Sequence, residues 1–405
     1  MAAELILAIA ALIVAIPAFF LALQLFCSLG KTARPAPVEN GPPEGRLAIL
    51  VPAHDEEAHL LATLESIGSQ VERRDRIMVV ADNCTDDTQA IAAQFGATVV
   101  VRDDPDRRGK GHALAFGLDH MRSDPADFVA IVDADCQLAP GTLSRLHHAA
   151  AQTGRPVQAC YLMKNPPGAS DIAGISEFAF AVKNMVRPLG MMRLGLPVHL
   201  VGTGMIFPWH IIESAEIDNG EIVEDMKLGA DLVRAGLFPV FCPDTLVTSR
   251  FPAERDAALV QRRRWEHGHL GVALSCVPGL VMSGLRSLDY RKIGFALDLT
   301  VPPLALLVLV NLLLLLVFGL MAAFGLGYSA MLIVAAALFC LSAGLFLVWY
   351  RFGRTLVPPG TLLKIPAYII GKIAIYLDLF GNREKKWIRT KRAPADDDRP
   401  ESRTK

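Results

Sequence analysis

The sequence predicts an α/β protein whose mostly parallel sheet is flanked by transmembrane and interfacial helices. Short apolar runs alternate with segments of helical spacing between residues 46 and 132, a pattern typical of βαβ units. Two long stretches, after Glu4 and after Asp298, carry no charged residue. Because a membrane-spanning helix needs roughly 20 apolar residues, both stretches predict spans.

Residues 1–30 predict an N-terminal transmembrane anchor. The segment begins with Glu4 rather than basic residues, and its apolar core is longer than a signal peptide needs, so we expect it to be retained. Residues 31–45 are rich in Pro and Gly and predict a linker between this anchor and the globular region.

Residues 298–350 predict two further transmembrane helices, with a break at the FGLGYS sequence at 324–329. Basic residues follow the first and the last span, Lys31 and Arg354 among them. The positive-inside rule places such residues in the cytoplasm. We therefore expect a multi-pass protein of the inner (cytoplasmic) membrane, with three spans and its globular region in the cytoplasm.

Two segments beside these spans, 271–297 and the start of 351–405, are apolar but interrupted by charges such as Arg286 and Lys372. We expect both to lie at the membrane surface rather than to cross it. The rest of 351–405 predicts a basic and polar cytoplasmic tail.

The globular region, predicted at 46–270, begins with four apolar runs, at 46–53, 76–82, 97–102 and 127–132. Segments with helical spacing lie between them, at 57–69, 86–95 and 109–121. In open sheets of this kind, ligands bind outside the carboxyl ends of the strands. A site is therefore predicted where polar residues follow three of the runs, in HDE at 54–56, DN at 82–83 and DAD at 133–135.

The second half of the globular region is less regular. It contains strand candidates at 198–207 and 238–242 and helix candidates at 223–236 and 254–270. The net charge of -1 does not favour a nucleic-acid partner. The seven cysteines form no CxxC pair, so we expect them to be reduced and mostly buried.

Asp133 and Asp135 end the run FVAIVDADC, residues 128–136. If the strand continued through Asp135, both carboxylates would point to the same side of the sheet. Such a pair repels itself unless a cation binds there, and Mg²⁺ or Mn²⁺ suits oxygen ligands together with phosphates. A turn followed by a helix cap also explains the pair.

Three charged residues open predicted helices. Lys110, between two glycines in RRGKGHAL, is placed to approach a diphosphate, although a solvated basic loop explains it equally. Glu224 and Asp225 suit the positive end of a helix dipole. Their functional alternative is a general base beside an acceptor hydroxyl.

Gln261, Arg264 and Trp265, in the sequence QRRRW, have the spacing of one side of a helix. The tryptophan and the arginines indicate a cation–π surface, an anchor in the membrane interface or a basic helix on anionic lipid. These residues alone do not decide between a binding site and a membrane contact.

The order of these motifs is more specific than any one of them. VPAHDEE, ADNCTDD, RGKGHAL, DAD, GTG, ED and QRRRW follow one another and precede the spans. This order resembles the membrane-embedded family 2 glycosyltransferases, a group that includes cellulose, hyaluronan and poly-N-acetylglucosamine synthases and ceramide glucosyltransferases. The resemblance covers residues 46–270 and the flanking membrane pattern.

The resemblance implies a GT-A fold and a hexosyltransferase that inverts the anomeric carbon. The donor would be a nucleoside-diphosphate sugar, with a UDP-sugar expected. The acceptor would be a hydroxyl of a polysaccharide or of a lipid-linked molecule at the cytoplasmic face, in exopolysaccharide or cell-envelope glycan synthesis. Membrane lipids would surround the spans.

The resemblance also assigns roles, position by position. Donor-binding residues would be His54, Glu56, Asp82, Lys110 and Asp133. Asp133 and Asp135 would hold Mg²⁺ or Mn²⁺ against the diphosphate. The catalytic group would consist of Asp225 as the base, with Glu224 and Arg264. Residues around the acceptor would be Gly202, Thr203, Gly204, Gln261, Arg264 and Trp265.

Two departures from the family pattern leave questions open. Ala53 and His54 stand where the family often has a hydroxyl residue and an aromatic one, so the nucleobase is not fixed. Three spans are fewer than polymer-secreting members have. Polymer synthesis, with a homo-oligomer or an export-complex partner, therefore stays open beside single transfer to a glycolipid of the ceramide type.

Two other classes of protein fit the sequence less well. A membrane-bound sugar-phosphate nucleotidyltransferase would need a glycine-rich phosphate loop after the first strand, and PAHDEEAHL at 52–60 contains no glycine. A non-catalytic membrane scaffold would not need the acidic residues of the predicted site, which are all present.

Overall fold

The computed structural model describes residues 1–30, 44–218, 223–252, 254–373 and 376. Most of the predicted linker at 31–45 and most of the predicted tail at 351–405 lie outside the described residues.

The first half of the globular region builds the predicted alternation of strands and helices. Helix α1 (Ala2–Ser28) precedes it. Its strands are β1 (Leu47–Ala53), β2 (Arg76–Asp82), β3 (Thr98–Arg102) and β4 (Phe128–Ile131). Its helices are α2 (Leu60–Gly68), α3 (Thr88–Phe95) and α4 (Lys110–Met121). Strand β1 is almost entirely buried, which explains its unbroken apolar run.

Four further strands complete the sheet: β5 (Gln137–Leu138), β6 (Val157–Lys164), β7 (Met205–Pro208) and β8 (Val240–Arg250). Among the described residues the strand order is β3-β2-β1-β4-β7-β6-β8-β5. The β1–β2, β1–β4, β2–β3 and β6–β8 pairs are parallel, whereas β7 pairs antiparallel with both its neighbours and β5 with β8. The predicted α/β class with a mostly parallel sheet is confirmed.

Helices cover both faces of this sheet and continue beyond it. They are α5 (Thr142–Thr153), α6 (Asp171–Ala181), a π-helix (Val182–Val186), α7 (Arg187–Arg193), α8 (Trp209–Ile212), α9 (Glu224–Ala235), α10 (Arg255–Ser287), α11 (Tyr290–Thr300), α12 (Leu304–Ala323) and α13 (Tyr328–Val348). A second π-helix (Trp349–Gly353), a 3₁₀-helix (Pro359–Lys364) and α14 (Ile365–Gly371) follow.

Two elements differ from the prediction at the sheet. The strand predicted at 198–207 forms only from Met205 onward and ends at Pro208, because Gly202 and Gly204 have φ values of 87° and 63° and leave the extended conformation. The strand predicted at 238–242 continues to Arg250, since it pairs with both β6 and β5.

In the part of the chain that the structure describes, four helices are long and apolar enough to cross a membrane: Ala2–Ser28, Asp256–Ser287, Leu304–Ala323 and Tyr328–Gly353. The sequence predicted three. The additional candidate is α10, a single helix where the prediction placed a catalytic-domain helix followed by an interfacial segment. The apolar side of α10 packs against α9 and α11. The position of the segment 271–297 at the membrane surface stays a prediction.

A buried polar network joins α1, the first candidate span, to α7 and α11. Asp298 on α11 pairs with Arg187 on α7 at 2.6 Å, and Gln24 on α1 donates to the same carboxylate at 2.6 Å. The second carboxylate oxygen of Asp298 lies 2.8 Å from His199. The network therefore attaches the predicted anchor helix α1 to the globular region that carries the predicted site.

Candidate active site

A cleft of about 240 Å³ opens at the carboxyl ends of β1, β2 and β4. Its walls include every predicted site residue except Thr203 and Gly204, namely His54, Glu56, Asp82, Lys110, Asp133, Asp135, Gly202, Glu224, Asp225, Gln261, Arg264 and Trp265. Residues separated by more than 200 positions in the chain thus meet in one place, on the edge of the sheet where the strand ends predict a site.

Tight turns shape the rim at the ends of β1 and β2. Asp55 and Asn83 have φ values of 50° and 51°, in the left-handed region that few residues other than glycine adopt. The Asp55 carboxylate accepts a hydrogen bond from the backbone N–H of Thr85 at 2.6 Å, and His54 Nδ1 lies 2.6 Å from the backbone oxygen of Asp82. The two strand ends are therefore held together.

Asp82 is fixed by a residue that sequence reasoning missed. Its carboxylate pairs with Arg102 at 2.6 Å, and both side chains are more than nine-tenths buried. Asn83 donates a second hydrogen bond to it at 2.9 Å. Asp82 thus presents a carboxylate at the cleft wall, a group suited to accept hydrogen bonds from ribose hydroxyls or a base N–H.

Asp133 and Asp135 lie in a turn, not in a strand. Strand β4 ends at Ile131, and the backbone N–H of Cys136 donates to the Asp133 carbonyl at 3.0 Å. The premise of a continuous strand was therefore wrong, and the turn brings the two carboxylates together. Side-chain ligand atoms of Asp133, Asp135 and Cys136 lie within 4.8 Å of one another.

This donor set fits a hard divalent cation. Two carboxylates offer the oxygen ligands that Mg²⁺ and Mn²⁺ prefer. The neighbouring Cys136 is fully buried and is a softer ligand, so it contributes less to such a site.

Lys110 connects the two acidic sides of the cleft. Its ammonium pairs with the Asp133 carboxylate, donates to the Gly202 carbonyl at 2.7 Å and lies 3.8 Å from Glu224. Burial disfavours its charge, but Asp133 and Glu224 outweigh burial and raise the pKa of Lys110 above its ordinary value. The cleft therefore contains a stabilised cation beside the candidate metal ligands.

Glu224 and Asp225 begin α9, yet their surroundings differ. Glu224 is buried, and burial raises the pKa of its carboxyl to about 7. Asp225 faces the loop at Gly202, where a Cβ atom would lie 3.1 Å from the Asp225 carboxylate and 3.1 Å from the Lys110 ammonium. The positive φ favours glycine at 202, and any larger residue would have to displace the Asp225 carboxylate or the Lys110 ammonium.

Thr203 and Gly204 lie behind the cleft wall. Thr203 is fully buried, and its hydroxyl accepts a hydrogen bond from the backbone N–H of Asp133 at 3.1 Å. Gln158 holds the loop from below, since its amide donates to the Thr203 carbonyl at 2.9 Å. Thr203 therefore supports the candidate metal ligand Asp133, and neither Thr203 nor Gly204 lines the cleft where an acceptor was predicted to bind.

The side chains of Gln261, Arg264 and Trp265 reach the cleft from α10. The Trp265 ring packs near Phe180, with centroids 6.0 Å apart. The π-helix adds Lys183, which sequence reasoning missed, to the same wall. Single π turns occur often at functional sites, and a lone lysine within the apolar run FAFAVKNMV at 178–186 was the available signal.

Comparisons with known proteins agree with this geometry. The family model described as "Glycosyltransferase like family 2" matches residues 42–268, more than half of the chain. Over 92 residues the chain is 34% identical to the low-salt glycan biosynthesis hexosyltransferase Agl6 of Haloferax volcanii. Over 92 residues it is 40% identical to a 4,4'-diaponeurosporenoate glycosyltransferase of Staphylococcus aureus. These matches span 22% of this chain and 21% and 24% of the relatives' lengths.

The fold itself has a counterpart among solved structures. The mannosyltransferase PcManGT from Pyrobaculum calidifontis, solved in complex with GDP-Man and Mn²⁺, superimposes with a TM-score of 0.55 at 18% identity. The match covers 93% of this chain and 99% of that one. The predicted GT-A fold is thereby confirmed.

Proposed function

The chain belongs to the family 2 glycosyltransferases, and from this premise we propose that it is a membrane-bound, inverting hexosyltransferase. Its donor would be a nucleoside-diphosphate sugar, with UDP as the expected nucleotide. Its acceptor would be a hydroxyl of a lipid-linked molecule or a polysaccharide at the cytoplasmic face of the inner membrane.

One observation carries this proposal: a single cleft unites the donor-side groups with a second carboxylate pair. Asp82, Asp133 and Asp135 stand at the strand ends, while Asp225 approaches from α9. Lys110 lies between the two groups. The leaving diphosphate can therefore bind on the side of Asp133 and Asp135, and the incoming hydroxyl on the side of Asp225.

The reaction proposed is one displacement. Asp225 takes the proton of the acceptor hydroxyl, whose oxygen bonds to the anomeric carbon while the bond from that carbon to the diphosphate oxygen breaks. The electron pair leaves with the diphosphate, and Lys110 and Arg264 balance its growing charge. A single displacement inverts the anomeric configuration and needs no covalent intermediate.

Asp133 and Asp135 would hold the divalent cation, Mg²⁺ or Mn²⁺. When bound, such an ion neutralises charge on the diphosphate. Support comes from the donor chemistry of the two carboxylates and from the Mn²⁺ that accompanies GDP-Man in the PcManGT structure.

Membrane attachment is supported by the four candidate spans among the described residues. A lipid-linked acceptor with single transfer is favoured over a polysaccharide by an apolar cavity that adjoins the cleft and is lined by residues of all four candidate spans.

The direct test is a panel of nucleotide sugars. Protein reconstituted in lipid nanodiscs would be incubated with each donor and a membrane-lipid extract, and the released nucleoside diphosphate and the product mass would be measured. We expect one donor class to be consumed, with the mass of one hexose added to a lipid. Consumption of no donor, under conditions where the protein is folded, contradicts the proposal.

A further inference from the structure

The cavity beside the cleft joins the catalytic region to the membrane. It measures about 450 Å³, its walls are mostly apolar, and α1, α12 and α13 contribute to them. Phe180, Lys183 and Trp265 line both this cavity and the cleft. A molecule with an apolar chain in the cavity therefore reaches the cleft at these three residues.

Two cations line the apolar cavity, and one of them, Lys183, also lines the cleft. Lys183 projects from the π-helix, and none of the carboxylates that the structure describes forms an ion pair with its ammonium. Arg262 on α10 likewise has no described carboxylate partner; it donates to the Ser176 hydroxyl at 3.1 Å and lies over the Tyr368 ring, 6.0 Å from its centroid.

The carboxylates nearby are balanced by other cations. Glu266 pairs with Lys372 at 3.1 Å, and Asp298 pairs with Arg187 at 2.6 Å. Of the described charges lining the apolar cavity, Lys183 and Arg262 therefore remain as an excess of positive charge. A partly buried charge without a partner is costly, and a bound anion offsets that cost.

On the basis of the proposed transfer, we propose that the acceptor is an anionic amphiphile. Its apolar chain occupies the apolar cavity, and its phosphate or carboxylate group is bound by Lys183, with Arg262 nearby. Its hydroxyl then enters the cleft and loses its proton to Asp225. A neutral polysaccharide would use neither the apolar walls nor the cations.

The electrostatics of Lys183 agree with this geometry. Burial lowers the pKa of its ammonium, and Asp225 on the cleft side partly opposes that effect. An anion bound beside Lys183 strengthens the charged form, so the head group and the lysine stabilise each other.

The test measures binding and needs no sugar transfer. Dodecyl phosphate would be titrated into the protein in phosphatidylcholine nanodiscs by calorimetry, with empty nanodiscs subtracted. Loss of a charge-assisted contact is worth about 10- to 100-fold in affinity, so we expect Lys183→Met to weaken binding by that factor. Lys183→Arg should retain most of the affinity. Lys164→Met, at an exposed lysine on β6 that lines neither cavity, should leave it unchanged.

Two further probes identify which part of the ligand is recognised. Dodecyl maltoside, a neutral amphiphile, and inorganic phosphate, a free anion, should each bind more weakly than dodecyl phosphate by at least about tenfold. Equal binding of dodecyl maltoside, or native affinity in Lys183→Met, overturns the proposal. Equal binding of inorganic phosphate overturns the role of the apolar chain. Inactivity with every nucleotide sugar would contradict the proposed function and leave this binding result standing.

Discussion

Lys110 is the residue on which the electrostatics of the cleft depend. Its ammonium contacts Asp133 and the Gly202 carbonyl and lies near Glu224, so one cation offsets charges on both sides of the reaction space. The loop at 201–204 leaves just enough room for this contact. The roles proposed for the carboxylates therefore depend on how tightly Lys110 and Gly202 are packed.

Gly202 offers a test of this packing with a matched control. Gly202 and Gly236 have nearly equal φ values, 87° and 88°, but only Gly202 has atoms within reach of a new Cβ. Both alanine variants should lose about 1 kcal/mol of folding stability through backbone strain. We expect Gly202→Ala alone to lower kcat/KM by at least about tenfold, since its Cβ displaces Asp225 and Lys110. Equal activity of the two variants, measured with the consumed nucleotide sugar, speaks against the close approach.

Arg102 is predicted to be essential for stability. Replacing it by Met leaves the buried Asp82 carboxylate without its ion pair, which typically costs about 3–5 kcal/mol. The thermal unfolding midpoint of Arg102→Met should fall well below that of Arg122→Met, an exposed arginine on the same domain. Similar midpoints for the two variants would show that the Asp82–Arg102 pair contributes little.

At the scale of elements, the turn after β4 decides where the metal ligands stand. Because the strand ends at Ile131, the carboxylates of Asp133 and Asp135 are set by the turn and by the Thr203 hydroxyl behind it. The turn positions the candidate ligands on the side of the cleft where the diphosphate is expected.

A chelation experiment tests this element. Excess EDTA should abolish release of nucleoside diphosphate, and added Mn²⁺ or Mg²⁺ should restore it. Asp135→Asn removes one ligand charge, so its metal concentration for half-maximal turnover should rise by about 10- to 100-fold. Asp119→Asn, at an exposed residue of α4, serves as the control. Unchanged turnover in EDTA would contradict the proposed role of Asp133 and Asp135 as metal ligands.

The extent to which the sequence predicts these elements has a physical explanation. Strands β1, β2 and β4 were predictable because each is an apolar run that ends in polar residues, and their ends mark the site. Arg102 was not, since its pairing with Asp82 depends on parallel strand register. Lys183 was missed because no local pattern shows that the π-helix faces both the cleft and the membrane helices.

At the scale of the whole molecule, the cleft and the apolar cavity adjoin, so that together they connect the globular region with the membrane helices. The Asp298 network fixes α1 to α7 and α11, and the apolar cavity opens between the same groups of helices and the cleft. About half of the residues are hydrophobic because the chain includes the candidate membrane spans. The acidic residues of the candidate site lie at the edge of the sheet. For the proposed transfer, this arrangement would bring a water-soluble donor to an acceptor that stays in the lipid.

The most direct measurement of the central claim is sugar transfer by Asp225→Asn, in nanodiscs with a radiolabelled nucleotide sugar. Loss of the general base should reduce transfer by about 10²–10⁴-fold. Donor binding by calorimetry should stay near the native value, and Asp231→Asn, two turns further along α9, should retain both properties. Native transfer by Asp225→Asn would contradict the assignment of this carboxylate as the base.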